Sequence, residues 1–198
     1  MNLLSALLII AIIVIVLFWA ADSNTTLKTE TGAVNLSNAN NNNLLNISNP
    51  IPTIIQDIQN TAADFNLNPA ILFGIASAEQ GTTNISNWNT QAFNPNDPSG
   101  SYGLTQIEGQ TAESFGVNPS DLLGNAALAL NTTAQYINQY STDPNNMTTT
   151  AGIYNGGPSI WYDIQNGSAS SETQSAINNY VGKAVNGYNY YNLNYGGS

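Results

Sequence analysis

Carboxylates are the groups with which this chain could do proton chemistry. Its 198 residues include no Cys and no His, and 2 basic residues stand against 12 acidic ones, for a formal charge of -10 at pH 7. Thiol nucleophiles, His-based triads, disulfides and the usual zinc sites are thereby excluded. Calcium on oxygen ligands stays open, but no spaced Asp/Asn loop ending in Glu marks such a site, and no metal or other cofactor is expected. So few Lys and Arg cannot neutralise phosphates, which sets nucleic acid aside as a partner.

One carboxylate stands out by its setting. Glu79 sits near the end of AILFGIASAEQG (residues 70–81), a run that is apolar almost throughout. A general acid must still hold its proton at the working pH. Apolar surroundings and the partial negative charge of a helix C-terminus both push a carboxyl in that direction. The plainer reading makes Glu79 the solvated tip of a core helix. Asp97, in NPNDPSG, and Glu108, after Ile107, are the other acidic residues near the candidate motifs; turn chemistry and a helix first turn are their simpler roles.

The elements that must position Glu79 follow from spacing. Ile51, Ile54, Ile55, Ile58, Ala62 and Phe65 recur at helical intervals, which predicts an amphipathic first helix. Asn68 then suits an N-cap, Pro69 a first helical position and Gly81 a left-handed cap, so residues 69–80 form a second, all-round apolar and hence buried helix. Residues 82–101 read as a long polar loop, YGLTQI as a short β-like piece and GQTAESFG as a helical turn. A helix is expected over residues 125–140, then a short helix entering a Gly-Pro turn at AGIYNGGP. A last helix, capped by Ser171, carries the stripe Ile177, Tyr180, Val181, Ala184, Val185, Tyr188.

The N-terminal part has a different character. Residues 3–21, LLSALLIIAIIVIVLFWAA, are 19 residues without a charge, about the length that spans a hydrocarbon core at roughly 1.5 Å per residue. A cleaved signal peptide competes with an uncleaved anchor, but Phe18 and Trp19 stand where a cleavage site wants small residues. The expectation is therefore an anchor at residues 1–21, an Asn-rich linker at 22–49, one domain at 50–192 and a flexible tail at 193–198. The anchor would place the chain as single-pass, with its domain outside the cytoplasm. Charged residues make up 7% of the chain, so neutral polar groups keep the surface wet and little titrates as pH falls, which fits an extracellular setting. Seven Asn-x-Ser/Thr sequons, starting at Asn24, Asn35, Asn46, Asn84, Asn131, Asn146 and Asn166, are glycan acceptors if the chain meets a glycosylation system.

Taken in order, AILFGIASAEQG, SGSYGLTQIEGQTAESFG, NAALALNTTAQYINQY, AGIYNGGPS and SETQSAINNYVGKAVNGYNYY resemble the soluble lytic transglycosylase family. This family shares the lysozyme-like superfamily with goose-type lysozymes. The resemblance covers roughly residues 51–191. It implies a mainly α, lysozyme-like single domain with a small β element, here preceded by one N-terminal transmembrane helix. It implies Glu79 as catalytic acid/base. Gly103, Leu104, Gln106 and Ile107 match a groove-lining segment in which Gln106 contacts substrate. Tyr154 and Asn155 match a turn beside the catalytic carboxylate, and Glu172 and Tyr180 match the closing helix. Tyr102 lies inside a matched motif as a stacking platform for a sugar. Three departures stand out: Gln80, at a substrate-contacting position, replaces Ser; Thr105 replaces Met; Gly156 replaces Ala.

The function so implied is a membrane-anchored, muramidase-type lytic transglycosylase, cutting β-1,4 bonds of peptidoglycan or a related cell-surface glycan. A glycan strand is its substrate and the membrane its support, and secretion, pilus or virion assembly is the kind of process it would serve. Glycosidases normally use two carboxylates, for which Asp97 and Glu108 are the candidates, whereas a transglycosylase needs one. The competing readings are goose-type hydrolysis and a glycan-binding or structural surface module with little turnover.

Overall fold

The computed structural model describes residues 53–196; the expected anchor and linker lie outside them. Among the described residues no helix is long and apolar enough to cross a membrane. Six helices and a small sheet follow one another: α1 (Thr53–Asp64), α2 (Pro69–Gln80), β1 (Phe93–Asn94), β2 (Ser101–Tyr102), β3 (Ile107–Glu108), α3 (Gly109–Ser114), α4 (Ala126–Tyr140), α5 (Met147–Gln165) and α6 (Ser171–Asn194). Single 3-10 turns lie at Ile85–Asn87 and Pro119–Leu122. The expected mainly α architecture with a small β element is present.

α2 is the central element because no side of it is polar. Every residue from Ala70 to Ala78 is buried. Ile71, Leu72, Phe73 and Ile75 are fully so, and each contributes about 1.5–3 kcal/mol through lost apolar hydration. Its ends are those the residue types specify: the Asn68 side chain accepts from Ala70 N–H, Pro69 starts the helix, and Gly81 closes it at φ 68°. Neutral amides cap other helices too, Asn125 on α4 and Asn146 on α5, while Asn84 and Asn118 start the 3-10 turns.

α6 lies against α2 at backbone distance. A Cβ on Gly74 would stand 2.7 Å from the carbonyl oxygen of Ala184 and 2.8 Å from the Met147 sulfur. We expect Gly74→Ala to force the helices apart, with a net loss of about 1–2 kcal/mol after its gain in helix propensity. A drop in denaturation midpoint at constant m-value checks this.

Three boundaries differ from those read in the sequence. α5 does not stop at the Gly-Pro turn: it kinks at Gly157 (φ 77°, ψ 163°) and restarts with Pro158 as a first-turn residue, where a missing N–H costs nothing. Ser170, not Ser171, caps α6 by accepting from Thr173 N–H. α6 also continues through Asn194, beyond the expected start of a tail at 193, and Tyr195 packs on the Phe73 ring at 6.0 Å. The aromatic cluster around Phe73 holds this end down.

The long polar loop is the site of the sheet. β2 pairs antiparallel with both neighbours, in the registers Phe93↔Tyr102, Asn94↔Ser101, Ser101↔Glu108 and Tyr102↔Ile107. Asn94, Ser101 and Glu108 therefore share one face, and Phe93, Tyr102 and Ile107 the other.

Candidate active site

A cleft of about 440 Å³ opens between the end of α2, the sheet and the middle of α5. The residue types already explain its character. The sheet face bearing Asn94, Ser101 and Glu108 is polar, and α5 reaches the cleft at Tyr154 and Asn155 as it approaches its kink. Glu79 lines this cleft.

Glu79 is only partly exposed, and its carboxyl is tied to the closing helix. Tyr180 Oη donates to Glu79 Oε1 at 2.7 Å. Tyr180 is itself buried, since Ile177, Tyr180, Val181 and Ala184 form the buried stripe of α6. Burial pushes the Glu79 pKa from 4.5 to about 7. The Tyr180 hydrogen bond opposes that rise by favouring the ionised form; the charge of Asp97 adds to it, and that of Lys183 on α6 offsets it. Burial also holds the Tyr180 phenol well above its ordinary range, so it stays a proton-bearing donor. The arrangement can keep a carboxyl protonated near neutral pH, then hold the carboxylate once the proton has gone.

A buried polar layer supports the cleft from below. Tyr154 Oη donates to the Thr105 carbonyl at 2.8 Å, Thr133 Oγ1 donates to Thr105 Oγ1 at 2.9 Å, and Tyr136 Oη donates to the Ile153 carbonyl at 3.2 Å. Thr105 is thus satisfied by a hydroxyl partner on α4, which accounts for a Thr where the family pattern has Met. Nothing in the structure explains Gly156 in the same way: a Cβ there would meet chiefly the movable end of a side chain, Ile177 Cδ1 at 2.8 Å.

The structure brings together Glu79, Gln106, Tyr154 and Asn155 around the cleft. Gln106 adopts φ 50° and its amide nitrogen donates to the carbonyls of Ala92 (3.2 Å) and Gly103 (2.9 Å), while its amide oxygen takes no hydrogen bond from the described residues. Gln80 and Tyr102 do not line the cleft. Gln80 donates to the Leu104 carbonyl at 2.8 Å and accepts from Asn89 N–H at 2.7 Å, bracing the end of α2 against the loop. Tyr102 lies on the other sheet face, against the ring of Phe93 at 4.9 Å, and its neighbour Ser101 takes the cleft position. Glu172 is exposed in the first turn of α6, and its carboxyl is held low by its own backbone N–H and by Ser170 and Ser171.

Two further carboxylates, outside the expected substrate-contact set, also line the cleft. Asp97 accepts from the Ser101 hydroxyl and, at 3.5 Å, from the Asn94 amide. Glu108 is the second. Asp97 lies in the turn between β1 and β2, and Glu108 on a strand of two residues, so no period in the sequence shows their common placement.

Residues 56–177 match the family described as Transglycosylase SLT domain. The chain belongs to this family. The match runs from α1 to the buried stripe of α6, so the SLT domain contains every cleft-lining residue named above. It ends before Tyr180, the residue that holds Glu79. None of the curated proteins matches the chain at a significant level.

Proposed function

We propose that this SLT-domain protein is a lytic transglycosylase acting on peptidoglycan or a closely related glycan, with Glu79 as its general acid and then its base. The observation that carries the reading is the carboxyl of Glu79, raised to about 7 at the wall of a polar cleft and held by Tyr180. In the first step Glu79 gives its proton to the glycosidic oxygen. The C1–O bond breaks, its electron pair leaves with that oxygen, and positive charge develops at C1. The Glu79 carboxylate, still bonded to Tyr180, then takes the proton of the sugar's own C6 hydroxyl as its oxygen attacks C1. An internal anhydro ring and a new chain end result.

Other residues serve binding. The free amide oxygen of Gln106 is an acceptor for a sugar hydroxyl or N-acetyl N–H, and Asn155 offers both donor and acceptor at the opposite wall. Tyr154 works chiefly through its ring and its anchor on Thr105. Gln80 acts as a brace, because both ends of its amide are taken by backbone partners. The apolar run at residues 3–21 adds the proposal of a membrane tether with the domain outside the cytoplasm.

Incubating the full chain with purified peptidoglycan near pH 5, and reading the products by mass spectrometry, tests this. Anhydro-sugar ends that vanish in Glu79→Gln are expected. Ordinary reducing ends would instead mean hydrolysis, a reading to which the placement of Asp97 and Glu108 in the same cleft gives a second carboxylate. A folded protein that binds the glycan without cutting it would overturn both.

A further inference from the structure

The cleft collects negative charge. Asp97 and Glu108 line it together with Glu79, and among the described residues no basic side chain does. The chain holds two basic residues, Lys28 and Lys183. Of these, Lys28 is outside the described residues, and Lys183 is not among those lining the cleft. The partners of Asp97 are neutral, a hydroxyl and an amide. Glu108 stands at the N-cap position of α3, where a carboxylate ordinarily accepts the first helical N–H groups, yet its side chain makes no capping hydrogen bond. Its exposed carboxylate is left to the cleft, on the same sheet face as Ser101 and Asn94. The remaining polar lining, Gln106, Thr111, Tyr136, Tyr154 and Asn155, carries no basic or acidic side chain.

We infer that Asp97 and Glu108 set the charge class of the substrate: the cleft prefers strands whose amino sugars at this sheet face carry a free ammonium group in place of the N-acetyl group, and disfavours strands with carboxylates there. This rests on the proposed function, whose site it refines. An ammonium beside two partly solvated carboxylates gains roughly tenfold in affinity over the neutral acetamide. The gain shrinks as salt screens it. Glu108 is the specificity-determining residue because its carboxylate has no other task in the fold.

The test is binding by the full chain carrying Glu79→Gln, which removes turnover from the measurement. Isothermal titration at pH 6 and low salt compares a hexamer of glucosamine with a hexamer of N-acetylglucosamine. The expected result is roughly tenfold tighter binding of the glucosamine hexamer. That preference should fall several-fold when Glu108→Gln is added, and at high salt. Glu113→Gln, which removes an exposed charge on α3 away from the cleft, is expected to leave the preference intact. Equal loss in Glu113→Gln and Glu108→Gln would overturn the inference, since net charge alone would then explain it. Equal affinity for the two hexamers, with anhydro products still released from peptidoglycan by the unmodified chain, would overturn the inference and leave the proposed function standing. No binding of either hexamer and no products would sink both.

Discussion

Replacing Glu79 by Gln is expected to lower turnover by about 10²–10⁴-fold, the usual contribution of a positioned general acid, while making the protein more stable at pH 8. The two effects share one cause. Burial raises the folded-state pKa of Glu79 from 4.5 to about 7. Between these values the folded chain binds a proton that the unfolded chain has released. The stability due to this group is thus fully present below about pH 4.5 and is lost as pH rises through about 7. Above that, an ionised Glu79 costs on the order of 3 kcal/mol, because each tenfold change in proton affinity is worth about 1.4 kcal/mol. Gln keeps the oxygen to which Tyr180 donates and has no charge to bury. Denaturation curves at pH 5 and pH 8 should therefore diverge for the unmodified chain and nearly coincide for Glu79→Gln. By the same protonation, kcat/KM of the unmodified chain falls above pH 7 as the acid loses its proton.

The largest loss of stability is expected at Phe73. Its ring is fully buried and meets Trp88 at 5.0 Å, Tyr191 at 5.4 Å, Tyr190 at 5.9 Å in a stacked arrangement and Tyr195 at 6.0 Å. Phe73→Ala should cost about 3–5 kcal/mol, the range for an aromatic deleted from a core, because four rigid neighbours cannot close the space. Hydrogen exchange should show the last turns of α6 opening first, since Tyr190, Tyr191 and Tyr195 lose their common partner. Trp88 would loosen with them, and with it the loop that its indole N–H anchors on the Thr82 carbonyl at 2.8 Å.

What could be read from the sequence was local. Asn68, Pro69 and Gly81 mark the limits of α2 by residue type alone, and the absence of a polar side shows that it is central. The partner of Glu79 was not legible in the same way. Tyr180 lies 101 residues away, in a stripe whose spacing reports burial and nothing more. Tyr102 was expected in the groove because it lies in a matched motif. Its strand has two residues, too few for alternation to be visible, and the register puts Ser101 there. The continuation of α5 was hidden by Gly157 and Pro158, which also occur in simple turns; here one absorbs a positive φ and the other restarts the helix. Gln106 is expected from the resemblance to contact substrate, and the sequence does not show which end of its amide is available. A left-handed backbone folds its nitrogen onto two carbonyls and leaves the oxygen.

The helix starts built on Asn have a consequence for how the protein would respond to its surroundings. Asp at those positions would accept the same N–H groups but would give them up as acid neutralised it. The amides of Asn68, Asn125 and Asn146 do not titrate. Acidification therefore leaves these Asn-capped helix starts in place while it protonates Glu79, the state that the proposed general acid requires. A falling pH would thus bring the proposed acid to its working state without loosening these caps.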